Sequence, residues 1–193
     1  MAVTFANIIV GEGNLFVSNN VAGATFYDVG STQEGVSISW EPDMVDIEVD
    51  QFGDAARVIQ SKVKVSVKTS LAENTFSNLA LVWGYGGIFN YGDANQADIN
   101  KPGMVLGNTA SPQISLGIHG ALPEERRLKV TGPAPGSTAA TPKTRTYTCN
   151  RAISMASSEV SYKRNENAKL PVSFRILPDP QFTGREYGII ADA

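Results

Sequence analysis

Histidine and cysteine are almost absent: the 193-residue chain has one of each, His119 and Cys149. A single cysteine excludes an internal disulfide framework, and one histidine with no cysteine pair leaves nothing from which to build a zinc cluster. A serine nucleophile needs a histidine base within reach. His119, between Ile118 and Gly120 after an apolar strand, reads as a strand-end residue instead. Cys149 lies in an apolar-alternating segment and reads as a buried thiol. Charge is also scarce, at 18 % of residues, below the usual quarter, so less of this surface need face free water than in an ordinary monomer. Sixteen basic against nineteen acidic side chains give a net charge of -3, without the basic excess of a duplex-binding domain. Long hydrophobic runs are missing too. The opening MAVTFANIIVGEGNLFVSNN has no basic leader, so neither a signal peptide nor membrane insertion is expected, and synthesis and folding in the cytoplasm are.

Motifs that imitate a site fail on order or chemistry. GYGGIFNYG lacks the Gly-Lys-Ser/Thr that grips phosphate, and it follows a helical segment where a dinucleotide fingerprint would precede one. Asp93, Asn95, Asp98 and Asn100 depart from the calcium-loop order and have no closing glutamate. Glycoside hydrolysis wants two carboxylates across a cleft in different environments. Asp46, Glu48 and Asp50 form a row on one strand instead. Neither an enzyme, nor a cofactor, nor a metal is expected.

What is present is a pair of oppositely charged strands. Asp46-Ile47-Glu48-Val49-Asp50 and Lys62-Val63-Lys64-Val65-Ser66-Val67-Lys68 each alternate between apolar and charged or polar side chains. That two-residue period predicts strands with one buried and one open face. Gln51-Phe52-Gly53-Asp54-Ala55-Ala56 turns the chain between them, so an antiparallel pair is expected. Lys62, Lys64 and Lys68 have two candidate jobs: cross-strand pairing with those acids, or contact with another subunit. Exposed pairs contribute about 0–1 kcal/mol each.

Strand patterns dominate elsewhere. Phe5 to Val10 and Leu15 to Val17 flank the turn residues Gly11-Glu12-Gly13-Asn14, as in an early hairpin. Val36, Ile38 and Trp40 share a parity, which places Trp40 in the core, and Pro42 ends that strand or puts it at an edge. Ile114, Leu116 and Ile118 alternate, as do Leu128 and Val130 with Arg127 and Lys129 outward. Tyr147 and Cys149 share a face, and a parity break near Ser157-Ser158 predicts a bulge or two strands. Leu170, Val172, Phe174 and Ile176 form an inward face on which Pro171 points outward and argues for an edge. The closing YGIIADA adds a short strand. One segment changes period: in SLAENTFSNLALVW, Ser70 and Glu73 form a capping box. Ala72, Phe76, Leu79, Ala80 and Trp83 then make a stripe, Asn74, Ser77 and Asn78 fit the outer face, and Gly84 stops the helix.

The sum is a mainly β fold: a β-sandwich or split barrel of two packed antiparallel sheets with one flanking α-helix at about residues 71–83. Residues 1–193 read as a single domain with a long loop at about 84–112 and a mobile, linker-like excursion at about 132–142. Tyr85, Phe89 and Tyr91 place three aromatics in that long loop, either pinned onto the domain or serving as contact anchors.

Taken in order, VGSTQEGVSISWEP, the acidic MVDIEVDQFG, SKVKVSVKTSLAENTFSNLALVWG and the closing LPVSFRILPDPQFTGREYGIIAD resemble the tail tube proteins of long-tailed bacteriophages, which are related to the inner tubes of contractile tails and secretion machines. The long glycine loop and the 132–142 excursion depart from the most compact members. The resemblance implies a virion tail protein whose hexameric rings stack into a hollow tube. Its implied partners are further copies of itself, a tape measure protein, and tail terminator or tip proteins. Duplex DNA would pass through the lumen without specific binding. Because the duplex carries roughly one negative charge per 1.7 Å, an acidic wall formed by Asp46, Glu48 and Asp50 would let it slide. Competing readings are another virion part, such as a capsid decoration or tail terminator protein, and a carbohydrate-binding sandwich using Trp40, Tyr85, Phe89 and Tyr91.

Overall fold

The computed structural model describes residues 11–18, 21, 25–48, 55–84, 123–138, 140–155 and 169–193, and every structural statement below concerns these. Eight strands and one helix follow in chain order: β1 (Asn14–Ser18), β2 (Phe26–Asp28), β3 (Thr32–Glu48), β4 (Ala55–Leu71), α1 (Phe76–Val82), β5 (Glu125–Pro133), β6 (Thr144–Ser154), β7 (Leu170–Ile176) and β8 (Gly188–Asp192). The expected strands around Phe5 and Ile114, the Ser157-Ser158 break and His119 lie outside the described residues.

All pairings are antiparallel, in the order β2-β1-β5-β6-β7-β4-β3, with β8 added on β6. The sheet rolls up so that its ends meet: the Thr32 hydroxyl at the start of β3 donates to the Gly13 carbonyl just before β1 (3.4 Å). Packed antiparallel layers with one flanking helix are the sandwich or split-barrel arrangement that the strand periods predict. The core fills from alternate positions: Leu15 and Val17 of β1, Leu128 and Val130 of β5, Val67 and Leu71 of β4, and all four expected residues of β7. Cys149 is buried with them, and desolvation pushes its thiol up to about 11.

The helix starts later than its capping box predicts. Ser70 and Leu71 are the last pairs of the β4–β7 ladder, opposite Pro171 and Leu170, because burying Leu71 in the core outweighs starting a turn there. Thr75 is the cap, its hydroxyl accepting from the Asn78 amide (3.2 Å). Glu73 turns instead to the Ser31 amide (3.1 Å). Asn78 is buried rather than outward, and its side-chain amide donates to the carbonyls of Val29 and Glu73 (2.9 Å each). Leu81 and Val82 are buried as well as the predicted Ala80, because this short helix is enclosed on more than one side. Gly84 ends it as expected, at φ 75°, with its amide on the Leu81 carbonyl (3.2 Å).

Two proline expectations resolve differently. Pro42 sits inside β3, which is an edge strand, so no ladder on the outer side needs its missing amide. Pro171 lies on β7, an interior strand between β4 and β6, and not on an edge strand. Its own position is nevertheless a local edge, as Pro171 argued: among the described residues the β6 ladder reaches only residues 174–176 of β7, and Pro171 is paired on the β4 side. Of the 132–142 segment, 132–133 end β5 and the described residues after them belong to the β5–β6 turn, tied by Ala134 to Lys143 (2.9 Å), Thr138 to Thr141 and Lys143 to the Ser137 hydroxyl (3.0 Å).

Candidate assembly surface

The most exposed part of the sheet is the hairpin of β3 and β4. Both strands have 17 residues, beyond the 3–10 of ordinary strands. β7 covers β4 only from Val65 to Leu71. From there outward β3 and β4 form a two-stranded ribbon, which at about 3.3 Å per residue runs on for roughly 30 Å. Seven of the ten exposed large apolar side chains among the described residues belong to this hairpin: Ile38, Trp40, Met44, Val45, Ile47, Val58 and Ile59. Trp40, expected in the core, is 59 % exposed. It does share a face with core residue Val67, but it stands beyond the depth that the core fills.

Register fixes which side chains share a face. On the core-side face, Ile38 stands opposite Val67, Trp40 opposite Val65, Pro42 opposite Val63, Met44 opposite Gln60 and Asp46 opposite Val58. On the other face, Ser37 stands opposite Lys68, Glu41 opposite Lys64, Asp43 opposite Lys62, Val45 opposite Ile59 and Ile47 opposite Arg57. Pairing of the three lysines with Asp46 and Glu48 within one chain is therefore not formed: these acids lie on the opposite face, beyond the lysines. The hairpin is longer than the one in which the two charged rows would coincide. Lys64 pairs with Glu41 instead (3.5 Å), in an exposed contact. The expected one-faced amphipathicity also gives way, because Val45 and Ile47 are exposed on the face that carries the lysines. Asp50 and the loop aromatics Tyr85, Phe89 and Tyr91 lie outside the described residues.

Two other surfaces are bound up in holding the fold. Three of the four acids around the opening beside β1 and β3 are engaged: Asp28 accepts from the Gly30 amide (2.9 Å), Glu73 from Ser31, and Glu34 from Lys169 (3.0 Å). On the outer face of β1, β2 and β5, cations and rings alternate. Lys129 lies 4.8 Å from the Phe16 centroid and 5.1 Å from Phe26, while Arg127 lies 5.7 Å from Phe26 and 5.8 Å from Phe182. The outward parity of Arg127 and Lys129 was readable in sequence, but their ring partners were not, since they come from β1, β2 and the 177–187 segment. Among the described residues no group of three or more His, Cys, Asp or Glu is arranged to hold a metal ion. No described helix is long and apolar enough to cross a membrane.

No family model matches the chain, and no curated protein does. Among solved structures, a chain of the cryo-EM structure of the anti-feeding prophage (AFP) baseplate, 6-fold symmetrised, aligns over 100 % of this chain and 97 % of that one. The identity is 11 % and the TM-score 0.39.

Proposed function

We propose that this protein is a structural subunit of a phage-tail-like assembly, forming hexameric rings that stack into a hollow tube through which duplex DNA passes. The observation that carries the self-assembly is the hairpin: an isolated two-stranded ribbon is marginal in water, and this one exposes apolar side chains on both faces. Its edge strand β3 also offers a long row of backbone groups of the kind that proteins cover or pair. The tube and the ring number rest on the sequence resemblance. Negative-stain microscopy of purified protein tests them: stacked rings or tubes are expected, whereas single rings would favour a terminator or decoration role. A protein that stays monomeric at every concentration would falsify the assembly reading.

In this reading Asp46, Glu48 and Asp50 face the lumen and keep phosphate off the wall, while the lysine row serves contacts between copies. Asp46→Asn with Glu48→Gln, which removes the charge without placing bases on that face, is expected to make assembled tubes retain duplex DNA on co-sedimentation in low salt, where wild-type tubes release it. Equal retention by both would remove the acids from the lumen.

A further inference from the structure

The hairpin carries two apolar patches, on opposite faces and at different distances from the core. Near the core, on the core-side face, Ile38, Trp40 and Met44 are 37, 59 and 54 % exposed. Farther out, on the other face, Val45, Ile47 and Ile59 are 46, 40 and 40 % exposed. The second patch depends on a β-bulge. Between Asp43 and Met44 the register slips by one residue, leaving Ser61 without a pairing partner and setting Ile59 opposite Val45. Without that slip Ile59 would stand opposite Asp46 on the core-side face. Charge divides the same way. In the described hairpin the core-side face holds Asp46 and Glu48 and no base, while the other face holds Lys62, Lys64, Lys68 and Arg57 against Glu41 and Asp43.

We propose that the hairpin is a head-to-tail joint, in which the Trp40 patch on the core-side face of one copy seats on the Val45–Ile47–Ile59 patch of the next. The proposal rests on the self-assembly reading above and names its joint. A two-fold contact between like patches would press like-charged faces together and leave the other patch bare in both copies. A contact between unlike patches sets the lysine-bearing face of one copy on a face without bases, with Asp46 and Glu48, which lie farther out than Trp40, at its margin beside the lumen. It covers both patches of every copy that has a neighbour on each side, and such heterologous contacts generate rings or filaments and never stop at a dimer. Trp40 supplies the kind of large aromatic anchor on which interface energy concentrates.

The test is a complementation of blocked faces, read by analytical ultracentrifugation. Trp40→Ser blocks one face, and Val45→Ser with Ile47→Ser blocks the other. Each variant alone is expected to sediment as a monomer. An equimolar mixture is expected to form a one-to-one dimer, because that pair retains a single intact joint and cannot extend. Self-dimerisation of either variant, wild-type assembly by either, or a mixture without dimer overturns the joint. If a variant fails to fold, cysteine pairs carry the test: chains with Ile38→Cys mixed with chains with Ile47→Cys should be cross-linked by a short bismaleimide, and neither alone. Cross-links within one variant, or none in the mixture, overturn it. Assembly of the wild type with either failure leaves the tube reading standing, whereas a monomeric wild type removes both.

Discussion

At the scale of single residues, ion pairs fasten strands at the sheet's outer face. Arg151 on β6 grips the Glu125 carboxylate of β5 with two donors, one at 2.7 Å, and Arg145 holds Asp192 of β8 at 2.6 and 2.7 Å. The hydrogen bond from Arg151 is the main cause that holds the Glu125 carboxyl below its usual range, and Arg145 does the same for Asp192. A carboxylate depressed in the folded state adds stability that is complete above its unfolded pKa and is lost as pH falls through the folded one. Glu125→Gln is therefore expected to lower stability at neutral pH by at most about 1 kcal/mol, since the pair is solvent-screened. In thermal melts across pH the difference should begin to shrink below the ordinary glutamate pKa of about 4.3 and close as pH falls through the lower folded-state value. A difference that persists unchanged at low pH would mean that packing, and not charge, is what Glu125 contributes.

At the scale of elements, the revised helix start gives a direct comparison. Thr75→Ala removes the hydroxyl that accepts from Asn78 and should cost about 1 kcal/mol. Ser70→Ala, at the capping position the sequence pattern favours, should cost less, because no helix begins there; urea titrations of the two variants decide. The same contrast explains what could be read in advance. β7, β5 and the Gly84 stop were legible because alternation and a left-handed glycine are local signals that the core then agrees with. Ser70 misled because strand pairing with β7 overrode a local cap. Asn78 misled because its polar label hid a hydrogen bond to the distant Val29 carbonyl and another to Glu73 just before the helix. Trp40 misled because parity gives the face of a strand but not how far along that face the core extends. Part of a clue was available: apolar residues recur from Val36 to Ile47 and from Val58 to Val67, farther than a small core is thick, but the adjacent pairs Met44-Val45 and Val58-Ile59 break the alternation. The outer patch of the proposed joint was not legible, since it depends on a one-residue bulge that the alternation pattern does not announce.

At the scale of the whole molecule, protection is unevenly spread. The rolled sheet and α1 enclose a contiguous apolar core, while the outer half of the hairpin has no layer on either face among the described residues. Hydrogen exchange on dilute protein should therefore show residues 41–48 and 55–64 exchanging far faster than 170–176, with assembly slowing the first group most. Uniform protection in the dilute protein would contradict the ribbon's isolation.

The bare outer half of the hairpin also ties each subunit's fate to its company. In the proposed assembly, free energy that a solitary domain would find inside itself is left to be recovered from neighbours, so ordering of the ribbon would follow mass action. A scarce subunit keeps a soft extremity that is open to mispairing. A plentiful one would harden as it is enrolled, with the transition between the two set by supply.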